Sequence, residues 1–151
     1  MKKLLIVILS LILLISCSDV PVRSVDAFLK EGKAAFCTDR RIAIYDIEYK
    51  QSGKAVSLNG EINTAEGLSK LVTALEEEGY TVANKVTVLP GAELEGKIYG
   101  VINRPVANIR VEPSARSEMA TQAVLGTPIK IYKIKEKGSD RYAQTPDGYL
   151  G

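Results

Sequence analysis

The 151-residue chain contains no histidine, no tryptophan and only two cysteines. Without histidine there is no Ser-His-Asp triad, no Cys-His nucleophile pair and no His-ligated zinc within these residues. Two cysteines are too few for a Cys₄ metal site or a disulfide framework, and no cofactor is expected. Charge of one sign is equally scarce, with 20 Lys and Arg against 18 Asp and Glu. With 46% hydrophobic and 25% charged residues, the composition is that of a globular chain, neither disordered nor fibrous.

What little basic excess there is sits at the N-terminus. Met1-Lys2-Lys3 opens the chain and Leu4 to Ile15 follows as an apolar run broken only by Ser10. A basic start before an apolar stretch of this length reads as a secretory signal, because a bilayer-spanning helix needs about 20 apolar residues. A short retained membrane anchor is the alternative. Removing residues 1–16 takes Lys2 and Lys3 with it, so the basic residues fall from 20 to 18 and equal the 18 acids. Nucleic acid is therefore not expected as a partner, since that affinity rests on an excess of Lys and Arg.

The apolar run ends Leu14-Ile15-Ser16-Cys17. An aliphatic residue, then a small one, then cysteine resembles the lipobox of bacterial lipoproteins. The resemblance implies a diacylglycerol thioether on Cys17, cleavage before it and acylation of the new N-terminus. Several acyl chains together anchor a protein stably where one is marginal. Ser18 rather than an acid after the cysteine points, by the same resemblance, to the outer membrane. Once Cys17 is lipidated, Cys37 stands alone. It follows Phe36 at the end of an expected helix, where cysteine serves as a small buried hydrophobe, and no histidine exists to activate it.

After a tether over Ser18–Ser24, Val25, Phe28, Leu29 and Phe36 recur at helical spacing. Asp26 lies in the first turn, Ser24 can cap, and Gly32 weakens the pattern. The tether and this helix are taken together as residues 17–40. Residues 41–90 then read as a small α+β module. Ile42, Ile44, Tyr45, Ile47 and Tyr49 suggest a strand that changes face near Ile44–Tyr45. A turn at Gln51–Lys54 leads to a second strand through Val56, Leu58 and Gly60. A helix is expected from Asn63, with Glu66 at capping-box spacing, a stripe of Leu68, Leu71, Val72 and Leu75, and a stop at Gly79. Glu76, Glu77 and Glu78 oppose the helix dipole there. A Val-rich strand (Val82, Val86, Val88) closes the module at Leu89-Pro90-Gly91. The run Val56–Glu61, the helix, Gly79 and that strand resemble the BON family of envelope modules, some of which are proposed to touch phospholipid. An unrelated α+β spacer fits the same pattern.

Residues 97–151 carry short apolar strands between Gly, Pro and Asp turns, the pattern of a small all-β barrel or sandwich. Ala107-Asn108-Ile109-Arg110, Pro113-Ser114, Ser117-Glu118, Leu125-Gly126-Thr127-Pro128 and Asp147-Gly148-Tyr149-Leu150-Gly151 resemble bacterial SH3-like (SH3b) domains. Arg141-Tyr142 occupy a region where members often have tryptophan. The resemblance implies a barrel whose final strand lies beyond Gly151 and therefore a longer protein. A lipoprotein signal, an α+β module and an SH3-like domain further resemble the front half of NlpC-type cell-wall cysteine peptidases, which cut γ-D-glutamyl-diamino acid bonds. None of that family's catalytic residues is present, so these residues are not expected to be an enzyme.

The implied role is to bind or position peptidoglycan peptides, or to pack on an attached peptidase domain. Muropeptides offer carboxylates and amides, so Asn108, Arg110, Tyr142 and Tyr149 are the candidate ligand contacts. Each has a structural alternative: Asn108 and Arg110 can brace the turn at Pro113, and the tyrosines can fill the barrel. Lys130, Lys133, Lys135 and Lys137 read as a protected edge strand, or as weak attraction to an anionic envelope. The alternative from another class is a stand-alone structural or phospholipid-associated envelope lipoprotein.

Overall fold

The computed structural model describes residues 23–134 and 140–151. The lipobox cysteine Cys17, the signal and most of the tether lie outside the described residues, as do Lys135, Lys137 and most of the Lys137–Asp140 turn. The architecture is mixed α+β, with a helix-backed sheet followed by two small open sheets.

Helix α1 spans Val25–Phe36, and Ser24 Oγ accepts from the Ala27 N–H at 3.3 Å, the cap expected from the sequence. Strands β1 (Tyr45–Ser52) and β2 (Ala55–Ile62) form an antiparallel hairpin around Gly53-Lys54. Helix α2 (Ala65–Glu77) crosses over to β3 (Thr81–Val88), which runs parallel to β2 and gives the order β1-β2-β3. The end of α2 is a Schellman motif. The Tyr80 N–H donates to the Leu75 carbonyl and the Gly79 N–H to Glu76, with Gly79 at φ 94, where side chains are strained.

The N-terminal core joins Val25 and Phe28 of α1, Tyr45 of β1, Val56, Leu58 and Ile62 of β2, and Leu68, Leu71 and Leu75 of α2. Leu58, Ile62 and Leu75 are fully removed from water, each stabilising by about 1.5–3 kcal/mol. The helix that the sequence grouped with the tether is thus built into the module's core. Gly32, a weak point in the helical pattern, has a packing reason: a methyl there would overlap the buried Tyr45 hydroxyl.

Two expectations are corrected here. Asn63 does not start α2; Thr64 is the cap, its Oγ1 accepting from the Gly67 N–H at 3.3 Å, so no capping box with Glu66 forms. Asn63 Oδ1 instead accepts from the Ile44 N–H at 3.2 Å, bracing the entry to β1. The first strand begins at Tyr45 rather than Ile42. The change of face near Ile44–Tyr45 reflects two cores, since Tyr45 faces the first and Ile44 a second one.

That second core, made of Ile44, Leu89, Tyr132 and Leu150 with Tyr142 against it, joins the module to the C-terminal unit. After a 3₁₀ turn at Ala92–Leu94 come β4 (Tyr99–Val101), β5 (Val106–Arg110), β6 (Met119–Val124), β7 (Pro128–Ile134) and β8 (Arg141–Gln144). They form an antiparallel sheet β4-β7-β8 and a hairpin β5-β6; the described residues contain no closed barrel. Backbone bonds cross the junction, Gly91 N–H to the Tyr132 carbonyl and Leu150 N–H to the Arg41 carbonyl, both at 2.8 Å. Strand β7 lies between β4 and β8, so the lysine-rich strand is not an edge. Its Lys133 reaches across the junction to pair with Glu61, and its Lys130 lies 5.0 Å from the Tyr132 ring centre.

Candidate functional site

Residues of β5 and β8 line one cleft of about 520 Å³. Asn108 and Arg110 come from β5, Glu112 and Pro113 from the loop after it, and Arg141 and Tyr142 from β8. Gly151 lies at one end, held by paired backbone bonds to Ala143 (2.9 and 3.0 Å), and a methyl built on it would stand 2.6 Å from the Arg110 carbonyl. Three of the four candidates from the sequence therefore share one cavity. Tyr149 does not; its ring lies 5.9 Å beneath the Arg41 guanidinium at the junction.

Asn108 is exposed and lies opposite Gln122 in the hairpin, accepting from Gln122 Nε2 at 2.8 Å. Its amide nitrogen is thereby turned away from that bond. Arg110 is half-buried and donates from Nη1 to the Ser117 carbonyl at 2.6 Å. The same loop is tied by Glu112 N–H to Ser117 Oγ at 3.0 Å and Val111 N–H to the Glu118 carbonyl at 3.1 Å. Arg110 thus does brace the turn around Pro113, while its guanidinium still lines the cleft.

Tyr142 is half-buried against the junction core, and Lys133 Nζ lies 5.7 Å from its ring centre. A bulge between Ile131 and Lys133 lets Tyr132 turn inward, where its hydroxyl donates to Gln144 Oε1 at 2.9 Å. Burial raises the Tyr142 pKa above the ordinary tyrosine value, and the negative charges of Glu112 and Glu61 push the same way. At neutral pH it presents a neutral hydroxyl.

A second polar cleft of about 380 Å³ adjoins the first, sharing Val111, Glu112 and Tyr142 with it. Glu61 and Lys133 pair within it, at 33% and 21% side-chain exposure. Cys37 borders it but is buried at 8% exposure, its Sγ donating to the Ala43 carbonyl at 3.4 Å. Among the described residues no group of three His, Cys, Asp or Glu is placed to hold a metal, and no helix is long and apolar enough to cross a membrane.

Cationic side chains outnumber acids around the larger cleft, with Arg104, Arg110 and Arg141 against Glu112 and Asp140, which favours anionic groups. Guanidinium forks recognise carboxylates in two-point geometry, and an amide and a neutral phenol add donors and acceptors. The arrangement suits an extended, carboxylate-bearing peptide. Arg104 and Arg141 were not singled out from the sequence. Arg141 could have been, as the neighbour of Tyr142, but Arg104 reaches the cleft only through tertiary packing. Comparison with protein-family models and with curated proteins finds no match to this chain.

Proposed function

We propose that the chain is a bacterial cell-envelope lipoprotein, anchored through Cys17, whose C-terminal unit is an SH3-like domain that binds or positions peptidoglycan peptides. On this reading it is the non-catalytic front part of an NlpC-type γ-D-glutamyl-diamino acid endopeptidase. The observation that carries the reading is the convergence of Asn108, Arg110 and Tyr142 on one cleft with an excess of guanidinium groups. Stem peptides carry free carboxylates and amide bonds and no large apolar group, which is the chemistry such walls select. The hairpin β5-β6, the sheet β4-β7-β8 and the Asp147-Gly148 turn are compatible with an SH3-like unit and support that reading. Gly151 pairs with Ala143 of β8 and lies close to the Arg110 carbonyl of β5.

The tight junction gives the positioning role a physical basis. A ligand held against Tyr142 also lies beside the Glu61–Lys133 pair, which links the two units. Co-sedimentation with purified sacculi tests the reading. The protein is expected to pellet with sacculi, and Arg104→Gln combined with Tyr142→Ala is expected to lower the bound fraction several-fold. Pelleting no greater than that of an unrelated lipoprotein, or unchanged by the double substitution, contradicts it.

A further inference from the structure

Nine large apolar side chains are exposed among the described residues, and seven of them lie between Tyr99 and Leu125. Five of those gather at one end of the C-terminal unit. Tyr99 is 73% exposed, Val101 64%, Val106 53%, Val124 61% and Leu125 63%. Backbone pairing brings them together. Val106 stands directly opposite Val124, the Leu125 N–H donates to the Pro105 carbonyl at 3.2 Å, and the Gly126 N–H donates to the Ile102 carbonyl at 2.9 Å. A four-residue turn, closed by the Thr127 N–H on the Val124 carbonyl at 3.0 Å, pushes Leu125 outward. Gly126 at φ 87 occupies the turn position that only glycine takes freely. Among the described residues these aliphatic side chains stay more than half exposed, and a contiguous set of them marks a contact surface.

Charge identifies what that surface meets. The two segments that build it, residues 97–106 and 120–130, carry Lys97, Arg104 and Lys130 and not one acidic residue, although acids and bases balance over the chain beyond residue 16. Aliphatic residues at a protruding turn, an exposed tyrosine beside them and three cations on these segments, against one acid that reaches them (Asp147, accepting from Thr121 Oγ1 at 3.1 Å), fit the interface of an anionic bilayer. There apolar groups enter the acyl boundary, tyrosine sits at headgroup level and cations meet lipid phosphates.

We infer that the end of the C-terminal unit formed by Val101, Val106, Val124 and Leu125 docks on an anionic phospholipid surface. The contact is separate from the peptide cleft, sharing only Arg104 with it, and each can fail without the other. It holds the unit in a fixed orientation on the membrane, with the turn at Leu125 as its deepest point.

The lack of tryptophan makes the test direct. Leu125→Trp and Val106→Trp place single reporters in the patch, and Lys85→Trp places one on the exposed face of β3. The full chain is reconstituted into vesicles of phosphatidylethanolamine and phosphatidylglycerol containing brominated acyl chains, and emission is compared with vesicles of phosphatidylcholine. Docking gives blue-shifted emission and several-fold stronger quenching at 125 and 106 than at 85, weaker in phosphatidylcholine and in high salt. Equal quenching at all three positions overturns it, as does quenching indifferent to lipid charge. A blue shift that needs no lipid and grows with protein concentration also overturns it, since the patch would then be covered by a second copy. Val106→Trp keeps the test valid should Leu125→Trp fail to fold.

Discussion

Replacing Tyr45 with phenylalanine removes a single oxygen and should make the protein more stable. Tyr45 is 6% exposed, and its hydroxyl, packed against Gly32 of α1, has no hydrogen-bond partner among the described residues. A buried, unsatisfied hydroxyl carries a desolvation penalty of about 1–3 kcal/mol. The oxygen leaves a void of about 15 Å³, worth about 0.4 kcal/mol at ~24 cal/mol per Å³. The expected net gain is about 1–2 kcal/mol at neutral pH. Burial also pushes the Tyr45 pKa up to about 12 in the folded state. The sign follows from linkage: a raised folded pKa stabilises fully below the unfolded value near 10 and loses that stability as pH rises toward 12. The wild type should therefore weaken by about 1.4 kcal/mol per pH unit across that window through this group alone, and Tyr45→Phe should lose that much less over the same window. Urea denaturation at neutral and alkaline pH, followed by far-ultraviolet circular dichroism, reads both effects. Gly32→Ala supplies the coupling. Its methyl overlaps the hydroxyl in the wild type and should destabilise, whereas in Tyr45→Phe the nearest ring carbon stands 3.1 Å away, so the substitution should cost less there, offset by the ~1 kcal/mol helix advantage of alanine. A Tyr45→Phe variant less stable than wild type by 1 kcal/mol or so would mean that the hydroxyl is satisfied and the packing against α1 is wrong.

Other outcomes follow from the same structure. Leu150→Ala, at 4% exposure in the junction core, should cost about 2–3 kcal/mol and speed hydrogen exchange at Ala143 and Thr145, because it uncouples the two units; exchange unchanged there would contradict the junction. Thr64→Ala should cost about 1 kcal/mol as the true cap of α2, with Glu66→Gln near neutral, measured by thermal melts; the reverse order would restore the capping box. The side-chain hydrogen bond from Arg41 holds Asp39 down to about 2, below an unfolded value near 4. Its stabilising effect is therefore present at neutral pH and lost as pH falls from about 4 to 2, which carboxyl titration by NMR in wild type and Arg41→Gln can follow.

Much of the N-terminal module was legible because local signals and tertiary packing agree there. The Ser24 cap, the Leu68-Leu71-Leu75 stripe and the Gly79 stop each need only nearby residues. The errors came where a side chain serves a distant partner. Asn63 looked like a cap because its spacing to Glu66 is right, but its carboxamide is taken by the Ile44 N–H, nineteen residues back. Lys133 looked like edge protection because pattern alone cannot say which strands flank β7; its partner, Glu61, belongs to the other module. The cleft was half readable. Polar residue types near turns pointed to Asn108, Arg110 and Tyr142. Only the cleft that β5 and β8 share separates Tyr149 from them and adds Arg104 and Arg141.

Peptide recognition at the cleft is tested most directly by titrating isotope-labelled protein with a synthetic stem peptide containing γ-linked D-glutamate and a diamino acid, and following backbone amides by NMR. Saturable shifts confined to Asn108 through Glu112 and Arg141 through Ala143, abolished when the peptide's carboxylates are amidated, are the expected result. Shifts absent at those amides, or unaffected by amidation, would contradict a carboxylate-reading cleft between β5 and β8.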